Sequence, residues 1–208
     1  MLRKIALFVW LACSFAGVAS AQVAMLTQVS GDVRVSGRDG ARGAVAFLKV
    51  NDGDTLTLAG TARVQMVYLA NGRQEVWTGA GPVAVGSAQG RSQTLTPATS
   101  QVPALVLRQL EKTPAVGQHG KTGMVMLRSM DNLEKIDTLE TDYKALRARS
   151  AADDTTPELF YLTGLLDLGA YEDVRVVLTD VKARATTQPA FAPLVEHFER
   201  LLTEATAR

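Results

Sequence analysis

Residues 62–77 read ARVQMVYLANGRQEVW, and the reading of this stretch decides the fold. Val64, Met66 and Tyr68 alternate with Gln65 and Val67, the two-residue period of a strand whose successive side chains point to opposite faces. Asn71-Gly72 follows, a pair that tolerates the positive φ required at both central positions of a type I′ turn. RQEVW (73–77) then returns. The stretch predicts an antiparallel hairpin closed by a two-residue turn.

The same signature recurs on both sides. MLTQV (25–29), DVRVS (32–36), AFLKV (46–50), TLTL (55–58) and PVAVG (82–86) are short runs of β-formers, divided by Ser30-Gly31, Asn51–Asp54, Gly79 and Gly81. Val33 and Val35 share one face, as do Leu56 and Leu58. RDGARG (38–43) reads as a loop. Regularly spaced short strands indicate an all-β unit over residues 22–112, an antiparallel roll or sandwich, with a short solenoid as the other architecture such spacing allows. VPALVLRQLEK (102–112) reads either as a short helix or as a last strand packed on that unit, and 113–124 as a Pro- and Gly-containing linker.

Beyond it the period changes from two to between three and four. Met126, Met130, Leu133, Ile136, Leu139, Tyr143 and Leu146 form one apolar stripe. Thr156, as a cap ahead of Pro157, opens a second helix that ends at Gly169. YEDVRVVLTDVKARA (171–185) is a third, and the fourth carries Phe191, Leu194, Phe198 and Leu201 on its inner side. The expected class is α+β: an N-terminal all-β unit (22–112), then a bundle of about four helices (125–208).

The chain opens with Arg3 and Lys4, an apolar run from Ile5 to Val18, and Ala19-Ser20-Ala21, the organisation of a cleavable secretory signal peptide over residues 1–21. The run is too short for a comfortable membrane span, which needs about 20 apolar residues, and no second one follows. Cys13, the single cysteine, has Ala12 before it but Trp10 where a lipoprotein signal carries an aliphatic residue, so a lipid anchor is not expected. Removal of the leader would leave 20 basic against 21 acidic residues, no disulfide and no thiol chemistry. A near-neutral chain without a basic stripe is a poor partner for nucleic acid.

AVGQHGKT (115–122) fits a form of the phosphate-binding loop. Such a loop needs a buried strand leading in and a helix leading out. Pro114 precedes it and Gly123 follows it, and strand–helix alternation is absent. The segment therefore reads as linker, with no nucleotide bound. His119 lies in the same linker, and His197 stands beside Glu196 and Glu199 on one helix, too few converging ligands for a metal. Asp52 and Asp54 read as a turn, Asp153-Asp154 as a helix–helix loop. No catalytic residue, metal ligand or cofactor is expected. Tyr68, Trp77 and Tyr171 are the candidate partner-binding residues. Trp77 is either a rim aromatic or a core residue.

Gly31-Asp32-Val33-Arg34-Val35, Val50-Asn51-Asp52-Gly53-Asp54-Thr55-Leu56, Ala62–Met66, Asn71-Gly72 and Val83–Gly86 together resemble the FecR-like periplasmic domain family, over about a third of the chain. Its best-known members pass a signal from an outer-membrane receptor to a cytoplasmic sigma factor, using a cytoplasmic segment and a membrane span ahead of the β-domain. Neither is expected here. The resemblance implies a periplasmic interaction module whose partners are envelope proteins or, alternatively, cell-wall glycan, and it carries over no catalytic residue. Gly169–Val174 also resembles the turn of a tetratricopeptide unit, with Val174 where a small residue is usual.

Overall fold

A computed structural model describes residues 22–38, 40–114 and 130–206. The leader, the 115–122 pattern, His119 and Met126 lie outside the described residues. Ten strands come first: β1 Gln22–Ser30, β2 Val33–Gly37, β3 Gly40–Gly43, β4 Lys49–Asn51, β5 Thr55–Leu58, β6 Arg63–Tyr68, β7 Arg73–Thr78, β8 Gly81–Val85, β9 Gly90–Arg91 and β10 Ala98–Gln101. They form two five-stranded antiparallel sheets, ordered β10-β7-β6-β1-β4 (sheet A) and β3-β2-β5-β8-β9 (sheet B). Helices α1 Ala104–Lys112, α2 Met130–Arg149, α3 Thr156–Asp167, α4 Tyr171–Ala185 and α5 Ala192–Thr206 follow. The α+β class and the order β then α stand as expected. No helix among the described residues is long and apolar enough to cross a membrane.

The two sheets close on one apolar core. Ala24, Leu26, Val64, Met66, Tyr68 and Trp77 from sheet A meet Val33, Val35, Leu56, Leu58, Val83 and Val85 from sheet B. Strands of sheet B alternate buried and exposed residues, the mark of a sheet with one wet face. Sheet A differs, because β6 buries Val64 through Tyr68 without interruption. Its second face, with Met25 and Val67, belongs to the core of the helical layer, where Val106, Leu110, Leu159, Phe160, Phe191, Leu194 and Phe198 are buried. The architecture is therefore three layers, sheet B on sheet A on helices. α1 is helical and packs with α3, so its Val106 and Leu110 join the helical core although they precede the proposed linker.

The hairpin of 62–77 pairs Val64 with Trp77 and Val67 with Gln74, but it turns differently from the sequence expectation. Only Gly72 has positive φ, at 71°. Its N–H donates to the Tyr68 carbonyl at 2.9 Å, so the connection is the four-residue loop Leu69–Gly72. Asn71 uses its side chain instead of its backbone freedom: Oδ1 accepts from the Arg73 N–H at 2.9 Å, and Nδ2 donates to the Ala88 carbonyl at 2.9 Å. RDGARG is likewise not all loop. Residues 40–43 pair with β2 and end sheet B.

Polar residues stitch sheet A to the helices. Gln65 is buried, and its Nε2 donates to Asp154 Oδ1 at 2.9 Å and to Thr156 Oγ1 at 3.2 Å. Thr155 Oγ1 donates to the Thr27 carbonyl at 3.2 Å, and Arg63 pairs with Asp153 at 2.6 Å. The same Asp154 Oδ1 accepts from the Thr156 N–H at 2.9 Å. The sequence placed the cap of α3 at Thr156. Thr155 holds that position, and its hydroxyl is drawn to β1, leaving Asp154 to satisfy the free N–H. The other end of α3 stops as expected. Gly169 has φ 68°, and the Ala170 N–H reaches the Leu165 carbonyl while that of Gly169 reaches Leu166, a Schellman motif that favours glycine.

α2 runs antiparallel to α3. Leu139 lies over Gly164, Tyr143 stacks on Tyr161 with centroids 4.7 Å apart, and Arg147 reaches Glu158 at 3.1 Å. Continuing that register carries Leu133 past the last turn of α3. It is 55% exposed, while Leu146 at the other end is buried. The apolar stripe of α2 thus meets the core from Ile136 onward and leaves Leu133 open. Glu158 itself is fully buried; Arg147, Arg184 at 2.5 Å and the Tyr143 hydroxyl at 3.2 Å converge on it from α2 and α4. Removing one partner of such a buried cluster strands the rest. Glu158→Ala should lower unfolding stability by about 3–5 kcal/mol, measured by urea denaturation, and an unchanged midpoint would show that the cluster does not hold α2 and α4 to α3.

Candidate functional site

The connection from β3 to β4 contains an unusual backbone. Phe47 has φ 64°, a left-handed conformation that costs a bulky residue roughly 1–2 kcal/mol. Its N–H donates to the Leu26 carbonyl at 2.6 Å, and the Leu26 N–H donates to the Leu48 carbonyl at 2.9 Å. These two bonds pinch the turn onto β1 and hold it against that cost. The ring is turned toward α5, where it lies against His197 with centroids 4.9 Å apart and planes tilted by 32°.

His197 is only 4% exposed, and the ring of Phe198 meets it edge-on at 5.4 Å. Arg200 Nη2 lies 3.0 Å from His197 Nδ1. A guanidinium is only a donor and stays charged, so Nδ1 accepts and the imidazole proton sits on Nε2. Nε2 is buried near the Pro114 backbone and closes no hydrogen bond of ordinary geometry. Burial first, and the neighbouring Arg200 charge second, push the imidazole pKa down to about 4. His197 is therefore neutral in the fold at neutral pH.

Beside this pair opens a cleft of about 360 Å³ between the sandwich and α5. Val29, Ala44, Val45 and Pro193 supply apolar wall, Phe47 and His197 line it, and Glu196 and Arg200 stand exposed within it. The volume lies in the range of small-molecule sites, roughly 300–1,000 Å³. Val45 is 46% exposed.

The residues singled out in the sequence fall elsewhere. Trp77 is 1% exposed and Tyr68 is fully buried, both inside the sandwich. Neither ring offers a face to a partner. Trp77 Nε1 donates to Glu75 Oε2 at 3.0 Å, and the buried Glu75 carboxylate also takes the Gly90 N–H at 3.0 Å and Arg73 Nε at 2.6 Å. Burial raises the Tyr68 phenol pKa, and its hydroxyl reaches toward Gly86 without closing an ordinary hydrogen bond. Tyr171 is half-buried at the start of α4 against the helical core. The structure does not bring these three together. Asp54 closes the 51–54 turn by accepting the Asn51 N–H at 2.8 Å. Glu199 is paired with Lys182 rather than with His197. Among the described residues no three His, Asp or Glu side chains converge to hold a metal ion. Phe47 was missed because nothing in AFLKV marks a left-handed residue, and Arg200 because it resembles any surface arginine of a helix.

No protein-family model matches the chain, and no curated protein or solved structure is significantly similar to it.

Two tests follow from this geometry. A Cβ on Gly90 would stand 2.8 Å from Glu75 Oε2 and 2.9 Å from Trp77 Cζ2; Gly90→Ala should cost about 1–3 kcal/mol, seen as an earlier urea midpoint and a shifted Trp77 emission. The lowered pKa of His197 gives the sign of a pH effect. Below its unfolded value of about 6.5 the unfolded chain binds the proton first, so stability is full above that pH and declines as pH falls toward 4. The loss approaches about 3 kcal/mol at the acid end. Urea midpoints measured from pH 7 to 4 should fall less steeply in His197→Gln, and parallel curves would refute the assignment.

Proposed function

We propose that the chain is a non-enzymatic interaction protein of the periplasm, a scaffold or sensor that works through a FecR-like β-sandwich and the helical layer fused to it. Export rests on the leader of residues 1–21. The observation that carries the non-enzymatic reading is the use made of the buried ionisable groups. Glu75 ties Trp77 to the β9 strand, Glu158 gathers α2 and α4, Asp54 closes the 51–54 turn, and the half-buried Asp154 joins α3 to Gln65. Each is committed to joining elements, whereas a catalytic acid or base must be free to exchange a proton with substrate. The available surfaces suit association: the polar outer face of sheet B, the exposed Leu133 of α2, and the cleft beside α5. The alternative reading, a cell-wall glycan module, loses its aromatic platform because Trp77 and Tyr68 are both inside the core.

A C-terminally tagged chain should appear in the periplasmic fraction at a mass reduced by the leader. Photocrosslinking from an unnatural side chain placed at Leu133 or Val45 should then give discrete envelope-protein adducts, with no co-sedimentation on purified cell wall. Recovery of uncut chain in the cytosol would remove the basis for export. Retention on cell wall without protein adducts would favour the glycan reading.

A further inference from the structure

We propose that the cleft beside α5 is a binding site for a small amphipathic anion: an apolar chain that lies on Val29, Ala44 and Val45 and ends in a carboxylate held by Arg200. The site does not depend on where the protein resides or on its protein partners. Three observations meet here. The first is shape: about 360 Å³ of open space has aliphatic wall from Val29, Ala44, Val45 and Pro193 and the polar side chains Glu196 and Arg200 from α5. The second is the strained backbone of Phe47. A left-handed bulky residue persists only where its surroundings insist on it, and such residues gather at binding sites. Here the strain packs the Phe47 ring, itself buried, against His197, and the buried pair fixes the position of Arg200 and of the neighbouring wall residue Val45 at the edge of the cleft.

The third observation is charge. Glu196 and Arg200 are spaced i, i+4, the arrangement that usually forms an ion pair along a helix, yet no such pair forms. Arg200 turns to His197 Nδ1 and spends one donor there. A guanidinium carries five N–H donors, so most of the fork remains open, exposed in the cleft and fixed by the histidine. A charge-assisted, bidentate contact to a carboxylate is the interaction this geometry suits. Glu196 opposes an anion from the same helix face, which makes its removal informative.

An apolar chain with a terminal carboxylate describes both a fatty acid and the C-terminus of an apolar peptide. The test therefore uses octanoate and acetyl-Ala-Leu, each beside its amide, titrated into purified protein and followed by NMR chemical-shift changes at Val45, Phe47 and His197. At least one acid should bind saturably at millimolar concentration or tighter, with its amide weaker by about tenfold. Which acid binds identifies the source. Arg200→Gln should weaken the acid to the level of the amide, and Glu196→Gln should tighten it severalfold. Should Arg200→Gln misfold, the acid–amide comparison on the unaltered chain and Glu196→Gln decide alone. Neither acid binding, equal binding of acid and amide, or weaker binding in Glu196→Gln would overturn the proposal.

Discussion

Sheet A is covered on both faces, and most of the structure follows from that. A strand buried on two sides has no solvent for its polar side chains, yet β6 carries Gln65 at its centre. The amide is satisfied only because the loop before α3 brings Asp154 and Thr156 to it, 2.9 and 3.2 Å away. Thr155 is then set against the Thr27 carbonyl of the neighbouring strand. The helical layer thus docks on the sandwich through a polar seam with defined partners, surrounded by apolar contact from Met25, Phe47 and Val67. Apolar burial drives the docking; the directional bonds fix where α3 begins.

The buried acids extend the same logic. Glu75 and Glu158 are both out of solvent, and each is surrounded by donors drawn from separate elements. Any other packing of α2, α4 or β9 would leave such a carboxylate buried without donors, at a large cost. Arg184 adds a contact over the ring of Phe191, 4.2 Å from its centroid, binding the end of α4 to the turn before α5. Where the β3–β4 connection meets α5 the balance changes. Phe47 and His197 form the contact there, and the space beside them is left open.

Much of the fold is visible in the linear chain because it is encoded locally. The period of two in β2, β5 and β8, the inner face of α5 and the stop at Gly169 all follow from side-chain spacing and backbone freedom within a few residues. The hairpin of 62–77 is also there, but its turn is not the one Asn71-Gly72 suggests. Asn71 finds partners in Arg73 and in Ala88, seventeen residues away, and those bonds outweigh the local preference. The aromatics are the harder lesson. Trp77 admits a rim or a core reading from its position at the end of a strand, with the core favoured, and Glu75, two residues before it, accepts its indole N–H inside the sandwich.

The amino-acid order by itself determined the two classes of element, their succession, and which face of most of them is apolar, since propensity and periodicity act over one or two turns. Tertiary structure alone decided that sheet A lies between two layers, that Gln65, Glu75 and Glu158 are interior, and that Phe47, His197 and Arg200 share a cleft. Phe47 and His197 stand 150 residues apart, and their meeting depends on how sheet and helix pack, which no local pattern encodes.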